Sequence, residues 1–181
     1  MDSEEAVCRF LTYRAVDASP CDKLYKKSCV QKVRFPLGYI CEDVPFVYET
    51  LVNASRVVHC AKPLYYWLHR LGSTSRSVFS TKSMGLYYRF DEVRQASKER
   101  FPQLSREADY LFYKNLLVLA LRMAAAGGIV EERTMVNGQV RKNIGAILSD
   151  HYLKRSYKLF AIAVFLGVER MAVKLLGPQF T

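Results

Sequence analysis

Two adjacent carboxylates, Glu42 and Asp43, stand between the turn-forming stretch FPLGYIC and an apolar run that begins at Val44. A positioned carboxylate can take the proton of a hydroxyl group, and such a general base works best when its pKa approaches the working pH. The charge of Glu42 would raise the pKa of Asp43, whereas a helix N-terminus would favour the anion. The pair therefore indicates either a general base or a helix N-cap at Asp43, and one side chain can serve as both.

A helix from about Val44 to Ala54 would hold this pair on a rigid element. Its apolar residues follow the spacing of one helical face, and Pro45 suits the first turn, where its missing N–H costs nothing. Upstream, residues 4–15 are predicted to form a short helix, with Asp2 and Glu5 as a capping box. Residues 21–35 are predicted to form a loop that enters a short helix.

Downstream, the stretches RVVHC (56–60) and LYYWLH (64–69) have the β-branched and aromatic composition of short strands. Two short strands are not stable alone and need a sheet to join. They therefore predict an edge that is completed by other polypeptide. Pairing of these edges between two copies of the chain, in a homo-oligomer, is one expectation.

From residue 80 onward the pattern is helical. Helices are expected over 81–100, 105–126, 137–149 and 152–176, with Ser105 as a cap and Gly127 as a stop. The predicted fold class is therefore α/β giving way to mostly α. Residues 1–79 form the α/β part, and residues 80–181 form a helical tail of about four helices.

Four short blocks of sequence are informative because of the order in which they occur. They are KLY at Lys23–Tyr25, F-P-x-G-x-x-x-E-D at Phe35–Asp43, K-P-L-Y-Y-W at Lys62–Trp67, and R-x-x-S at Arg70 and Ser73. Together they resemble the C-terminal portion of bacterial family 2 glycosyltransferases, which are inverting enzymes of the GT-A fold. The resemblance covers roughly residues 20–77 and extends to no motif in the helical tail.

The resemblance implies transfer of a sugar from a nucleotide-sugar donor to a hydroxyl of a glycan or lipid-linked acceptor, in surface polysaccharide or glycan synthesis. It makes Asp43 the base, with Glu42 beside it. It also implies roles in substrate binding for six further residues: Lys23 and Tyr25 at the acceptor pocket, Tyr66 and Trp67 stacking on a sugar, and Arg70 and Ser73 over the diphosphate. The simpler alternatives are strand packing for the aromatic residues and a solvated loop position for Arg70.

The family's nucleotide-binding strand and the aspartates that hold its metal ion have no counterpart in the sequence. Asp17 has no D-x-D partner. The complete family enzyme would use Mg²⁺ or Mn²⁺, whose ligands are expected outside this chain, and no metal ligand is predicted within it; His69 is more simply a structural histidine. The expectation is a truncated transferase domain that is inactive by itself.

The net charge of +10 is concentrated near the C-terminus, since residues 141–181 carry seven basic and two acidic side chains. The last helix could lie on an anionic membrane surface or pack in the core against the helix at 105–126. An alternative function is thus a non-enzymatic, basic helical module that binds a partner protein or such a membrane. The basic residues are not interleaved with aromatic residues, so no nucleic-acid binding is expected. Five cysteines without CxxC spacing favour reduced thiols and a cytoplasmic location. The basic last helix could place the protein at the inner face of the membrane.

Overall fold

The computed structural model describes residues 1–68, 79–127 and 130–176, and within these ranges the protein is helical and contains no strand. The helices are α1 (Ser3–Leu11), α2 (Lys27–Val30), α3 (Asp43–Val52), α4 (Gly85–Arg100), α5 (Ser105–Ala126), α6 (Val130–Lys142), α7 (Ile144–Ser149), α8 (Arg155–Leu166) and α9 (Glu169–Leu176). Short 3₁₀ turns at Thr81–Met84 and Pro102–Leu104 lead into α4 and α5.

Helix α5 is the centre of the core and contacts α1, α4, α6, α8 and α9. Its 22 residues bury leucines on several sides, among them Leu111, Leu116 and Leu119. A helix that is apolar nearly all round is stable only when other helices surround it, and the five neighbours meet that need. The helix ends at Gly127, whose φ of 71° is the left-handed conformation that glycine adopts without strain.

Helix α1 packs against α5 and α3, and α3 also packs against α4. The Asp2 carboxylate accepts a hydrogen bond from the Glu5 N–H at 2.8 Å, which confirms the predicted cap. The Glu5 side chain does not complete a capping box and instead pairs with Arg9. The Ser3 hydroxyl donates to the Leu51 carbonyl at 2.8 Å and so joins the start of α1 to the end of α3.

The predicted α/β part is wrong, and with it the assignment to a GT-A domain of family 2. Residues 56–60 and 64–68 form no strand, and residue 69 lies outside the described ranges. Residues with high strand propensity are favoured because they pack well on a pleated, half-buried surface. The described residues contain no sheet that these segments could join. The main-chain N–H of Val57 donates to the Met1 carbonyl, and the Met1 ammonium donates to the Val57 carbonyl, each at 2.9 Å.

The part of the chain after residue 80 is helical, as predicted, but its described residues contain more helices than the four expected. Residues 137–149 belong to two helices, α6 and α7, and residues 152–176 contain α8 and α9. The second break falls at Gly167, whose φ of 77° ends α8 in a left-handed turn. The tail helices α4 and α5 share one hydrophobic core with α1 and α3. The core therefore extends from the N-terminal helices into the tail.

Candidate functional site

Asp43 is the first residue of α3 and is not its N-cap. The cap position belongs to Glu42, which is exposed and makes no side-chain hydrogen bond to the helix. The predicted helix start at Val44 was therefore one residue late. Asp43 is instead the acidic residue of the first turn, where the helix N-terminus favours a carboxylate.

The surroundings of Asp43 raise its pKa. Partial burial of the carboxyl is the largest cause, and the negative charge of Glu42 is the next. Asp17 adds a smaller contribution in the same direction, while the main-chain N–H groups of Asp43 and Val44 act in the opposite one. The charge of Glu42 and the helix N-terminus have opposite effects on this pKa, and the sequence leaves their balance open. In the folded chain the pKa of Asp43 is raised.

The loop that leads to Asp43 is fixed by the start of α4. The Ile40 N–H donates to the Lys82 carbonyl at 3.2 Å, and Arg89 Nη2 donates to the Leu37 carbonyl at 2.8 Å. Gly85 lies so close to the Ile40 carbonyl that a Cβ atom there would collide with it. The tail helix α4 therefore sets the position from which α3, and with it Asp43, begins.

An aromatic cluster on α3 brings two of the sequence blocks together. Phe35 stacks on Phe46 with the ring centroids 3.9 Å apart, and Tyr25 meets the edge of Phe46 at 5.9 Å. Burial in this cluster raises the pKa of Tyr25 to about 12. Tyr25 is thus placed next to the helix that carries Asp43.

Lys23 organises the neighbouring loop through two carboxylates. Its Nζ lies 2.9 Å from Asp17 Oδ1 and 2.7 Å from Asp22 Oδ1, and it donates to the Ser19 carbonyl at 2.6 Å. The same Asp17 contributes to the raised pKa of Asp43. The described partners of Lys23 are therefore carboxylates other than Asp43.

Two of the remaining predicted site residues, Tyr66 and Trp67, lie at the surface of the described chain. Tyr66 and Trp67 are 86% and 69% exposed and belong to the extended segment 63–68. Tyr65 belongs to the same segment, and its pKa is raised because Cys21 lies beside it. The segment therefore passes close to the loop that carries Lys23. Arg70 and Ser73, like His69, lie outside the described residues.

A cleft of about 360 Å³ lies along α3, one turn beyond the carboxylate pair. It is lined by Lys32, Val33, Arg34, Pro36, Pro45, Glu49, Asn53 and Glu92. Asp43 does not line it, so this cleft and the candidate base occupy different parts of the α3 surface.

Phe46, the central residue of the aromatic cluster on α3, was not identified from the sequence. Its position three residues after Asp43 in an apolar helix was a usable signal.

The described residues contain no group of three or more His, Cys, Asp or Glu side chains placed to hold a metal ion. The divalent cation implied by the resemblance therefore has no fitting ligand set in this part of the chain. None of the described helices is both long and apolar enough to cross a membrane.

No protein-family model matches the chain. Comparisons with curated proteins and with solved structures find no match either. The glycosyltransferase resemblance accordingly depends on the four sequence blocks alone, and the chain is assigned to no family.

Proposed function

We propose that this chain supplies the general-base end of a sugar-transfer site, with Asp43 as the group that takes the proton of the acceptor hydroxyl. The observation that carries the proposal is the raised pKa of a half-buried carboxyl at the fixed start of α3. A carboxylate whose pKa is raised towards the working pH is a better proton acceptor than an ordinary aspartate.

The reaction forms one bond, breaks another and transfers one proton. The acceptor oxygen forms a bond to the anomeric carbon while the bond from that carbon to the nucleotide diphosphate breaks, with inversion. The hydroxyl proton passes to the Asp43 carboxylate. The nucleotide-sugar donor is held by polypeptide outside this chain, so the isolated chain is expected to bind acceptor without turnover. No step is assigned to a metal ion.

The packing of α3 supports this role for its first residue. Val44, Val47 and Tyr48 are buried in the core, so the helix start cannot shift without disturbing the interior. The aromatic cluster at Phe46 lies one turn along the same helix. Aromatic faces suit the C–H surface of a sugar ring, and Phe35, which is half-exposed, is accessible for such a contact.

The proposal is tested by titrating the ¹³C-labelled chain with soluble acceptor mimics, namely methyl glycosides and short oligosaccharides, while the carboxyl resonance of Asp43 is followed by NMR. An acceptor hydroxyl that donates to the carboxylate favours the charged form, so we expect bound glycan to lower the pKa of Asp43. Amide shifts should cluster around Phe35 and the start of α3.

Asp109 is the control, because this carboxylate is paired with Arg94 at 2.6 Å on a different helix. Its carboxyl chemical shift at constant pH should not change when glycan is added. Glycan binding that leaves the Asp43 titration unaltered would contradict the proposal, as would the absence of binding by every glycan tried. In any assembly in which the chain turns over a nucleotide sugar, Asp43→Asn should lower kcat by about 10²- to 10⁴-fold.

A further inference from the structure

The outer face of α8 carries large apolar side chains that no described helix covers. We define the outer stripe as Leu159, Ile162, Phe165, Leu166, Val168 and Met171. Leu159, Leu166 and Met171 are each more than 60% exposed. The opposite face, with Phe160, Ala161 and Val164, is buried against the core. The packing of α8 therefore confirms the predicted core contact with α5 and leaves a second apolar face at the surface.

Exposed basic side chains lie at both ends of the outer stripe. Lys154 and Arg155 precede it, Arg170 lies between Val168 and Met171, and Lys174 follows it. Within the described ranges, no carboxylate lies within salt-bridge distance of these four. Helix α8 itself has no acidic residue. Arg170 donates to the Gly127 carbonyl at 2.8 Å, and the stripe is therefore an apolar surface bordered by positive charges that no described carboxylate pairs with.

The acidic residues of this part of the chain are directed elsewhere. Glu169 is 7% exposed and accepts a hydrogen bond from Asn137 at 3.0 Å. Asp150 is half-buried and accepts from the N–H groups of Tyr152 and Leu153. Residues 141–181 carry seven basic and two acidic side chains, so the net charge of the segment that carries the outer stripe is positive.

We propose that the outer stripe docks the protein on an anionic lipid bilayer surface, with the stripe in the headgroup and acyl boundary and the flanking basic side chains on anionic headgroups. A helix with one apolar face and basic polar residues binds membranes in this manner. The juxtaposition of apolar area and positive charge matches the two components of such a surface.

The basic side chains also argue against a second copy of this chain as the partner that covers the outer stripe. Symmetric pairing of two stripes would bring basic ends together, whether α8 and its mate ran parallel or antiparallel, because both ends of the stripe are basic. Like charges at an interface oppose association. The proposal does not depend on the sugar-transfer chemistry, and the two tests have separate readouts.

The test is sedimentation of the full chain with sucrose-loaded vesicles of phosphatidylcholine containing about 30% phosphatidylglycerol, and with pure phosphatidylcholine vesicles. We expect binding to the anionic vesicles that is stronger by at least about tenfold and falls as salt is raised from 0.1 to 0.5 M. Lys154→Gln with Arg155→Gln should weaken it about 30-fold, given the usual contribution of each basic residue near a charged surface.

Two matched controls isolate the stripe. Lys26→Gln with Lys27→Gln removes the same charge from exposed positions far along the chain and should weaken binding several-fold less. Phe165→Gln with Leu166→Gln should abolish most of the binding, whereas Leu24→Gln with Leu37→Gln, also at exposed positions, should not. Circular dichroism verifies that each variant is folded.

Three results would overturn the proposal. The first is equal binding to charged and uncharged vesicles, and the second is equal weakening by the two charge-removing pairs. The third is the absence of vesicle binding together with a concentration-dependent dimer, measured by analytical ultracentrifugation, that Phe165→Gln with Leu166→Gln dissociates. In that case the occupant of the stripe is a second copy of the chain.

Discussion

The Gly85 backbone lies directly against the Ile40 carbonyl, and this close approach joins the tail helix α4 to the loop before Asp43. The contact is supported on both sides, by the Ile40 hydrogen bond to Lys82 and by the Arg89 hydrogen bond to Leu37. Only a residue without a side chain fits at position 85. The candidate base is therefore positioned by a residue 42 places later in the sequence.

Replacing Gly85 with alanine should lower the free energy of unfolding by about 2–3 kcal/mol, because the new methyl group would meet main-chain atoms that cannot rotate away. Urea denaturation measures the change. The matched control is Gly138→Ala, since Gly138 lies within α6 with open space around it. This control should raise stability by about 0.5–1 kcal/mol, as expected for alanine in a helix. Equal effects of the two substitutions would contradict the close approach.

The raised pKa of Asp43 predicts a pH dependence of stability. The folded state binds the proton more tightly than the unfolded state, whose aspartate has a pKa of about 3.9. The stabilising contribution is therefore fully present below about pH 4 and is lost as the pH rises through the folded-state pKa. Asp43→Asn should match the wild type near pH 4 and be the more stable protein at pH 7.

Urea denaturation between pH 4 and pH 8 measures this difference, and Glu42→Gln provides the companion variant. Removing the Glu42 charge should lower the pKa of Asp43, because that charge is the second largest cause of the shift. The carboxyl titration seen by NMR reports this directly. A wild type that is more stable than Asp43→Asn at pH 7 would refute the prediction.

The aromatic cluster on α3 can be tested through Tyr25. Phe46→Ala should expose the Tyr25 ring and lower its pKa from about 12 towards 10. It should also reduce the free energy of unfolding by about 2–3 kcal/mol, since Phe46 is packed between Phe35 and Tyr25. Tyrosine labelled at ¹³Cζ gives the titration of each ring, and Tyr157, on α8, serves as the unaffected reference.

The cysteines should differ widely in reactivity. Cys21 and Cys60 are exposed, whereas burial and the charge of Asp43 raise the pKa of Cys41 to about 12. The thiolate is the reactive form, so at pH 7.5 Cys41 should react with a disulfide reagent at least about a hundredfold more slowly than the exposed pair. Mass spectrometry of peptides at timed intervals gives the order. Early modification of Cys41 would show that the loop before Asp43 opens readily.

The sequence predicts the long helices well because their apolar spacing is strong, as in α3 and α5. It fails at 56–60 and 64–68 because strand composition describes a surface that a sheet must provide, and the described chain provides none. It also cannot decide between base and cap at Asp43. That choice depends on the pKa of the carboxyl, which burial in the tertiary structure and the charges of Glu42 and Asp17 raise.

The two hydrogen bonds between Met1 and Val57 have a practical consequence for protein engineering. Residues that exchange both main-chain bonds run in opposite directions, so a tag fused before Met1 would leave alongside residues 58–60. The fusion would also replace the ammonium group with an amide, which donates one hydrogen in place of three. Affinity tags and fluorophores for the experiments above therefore belong away from Met1.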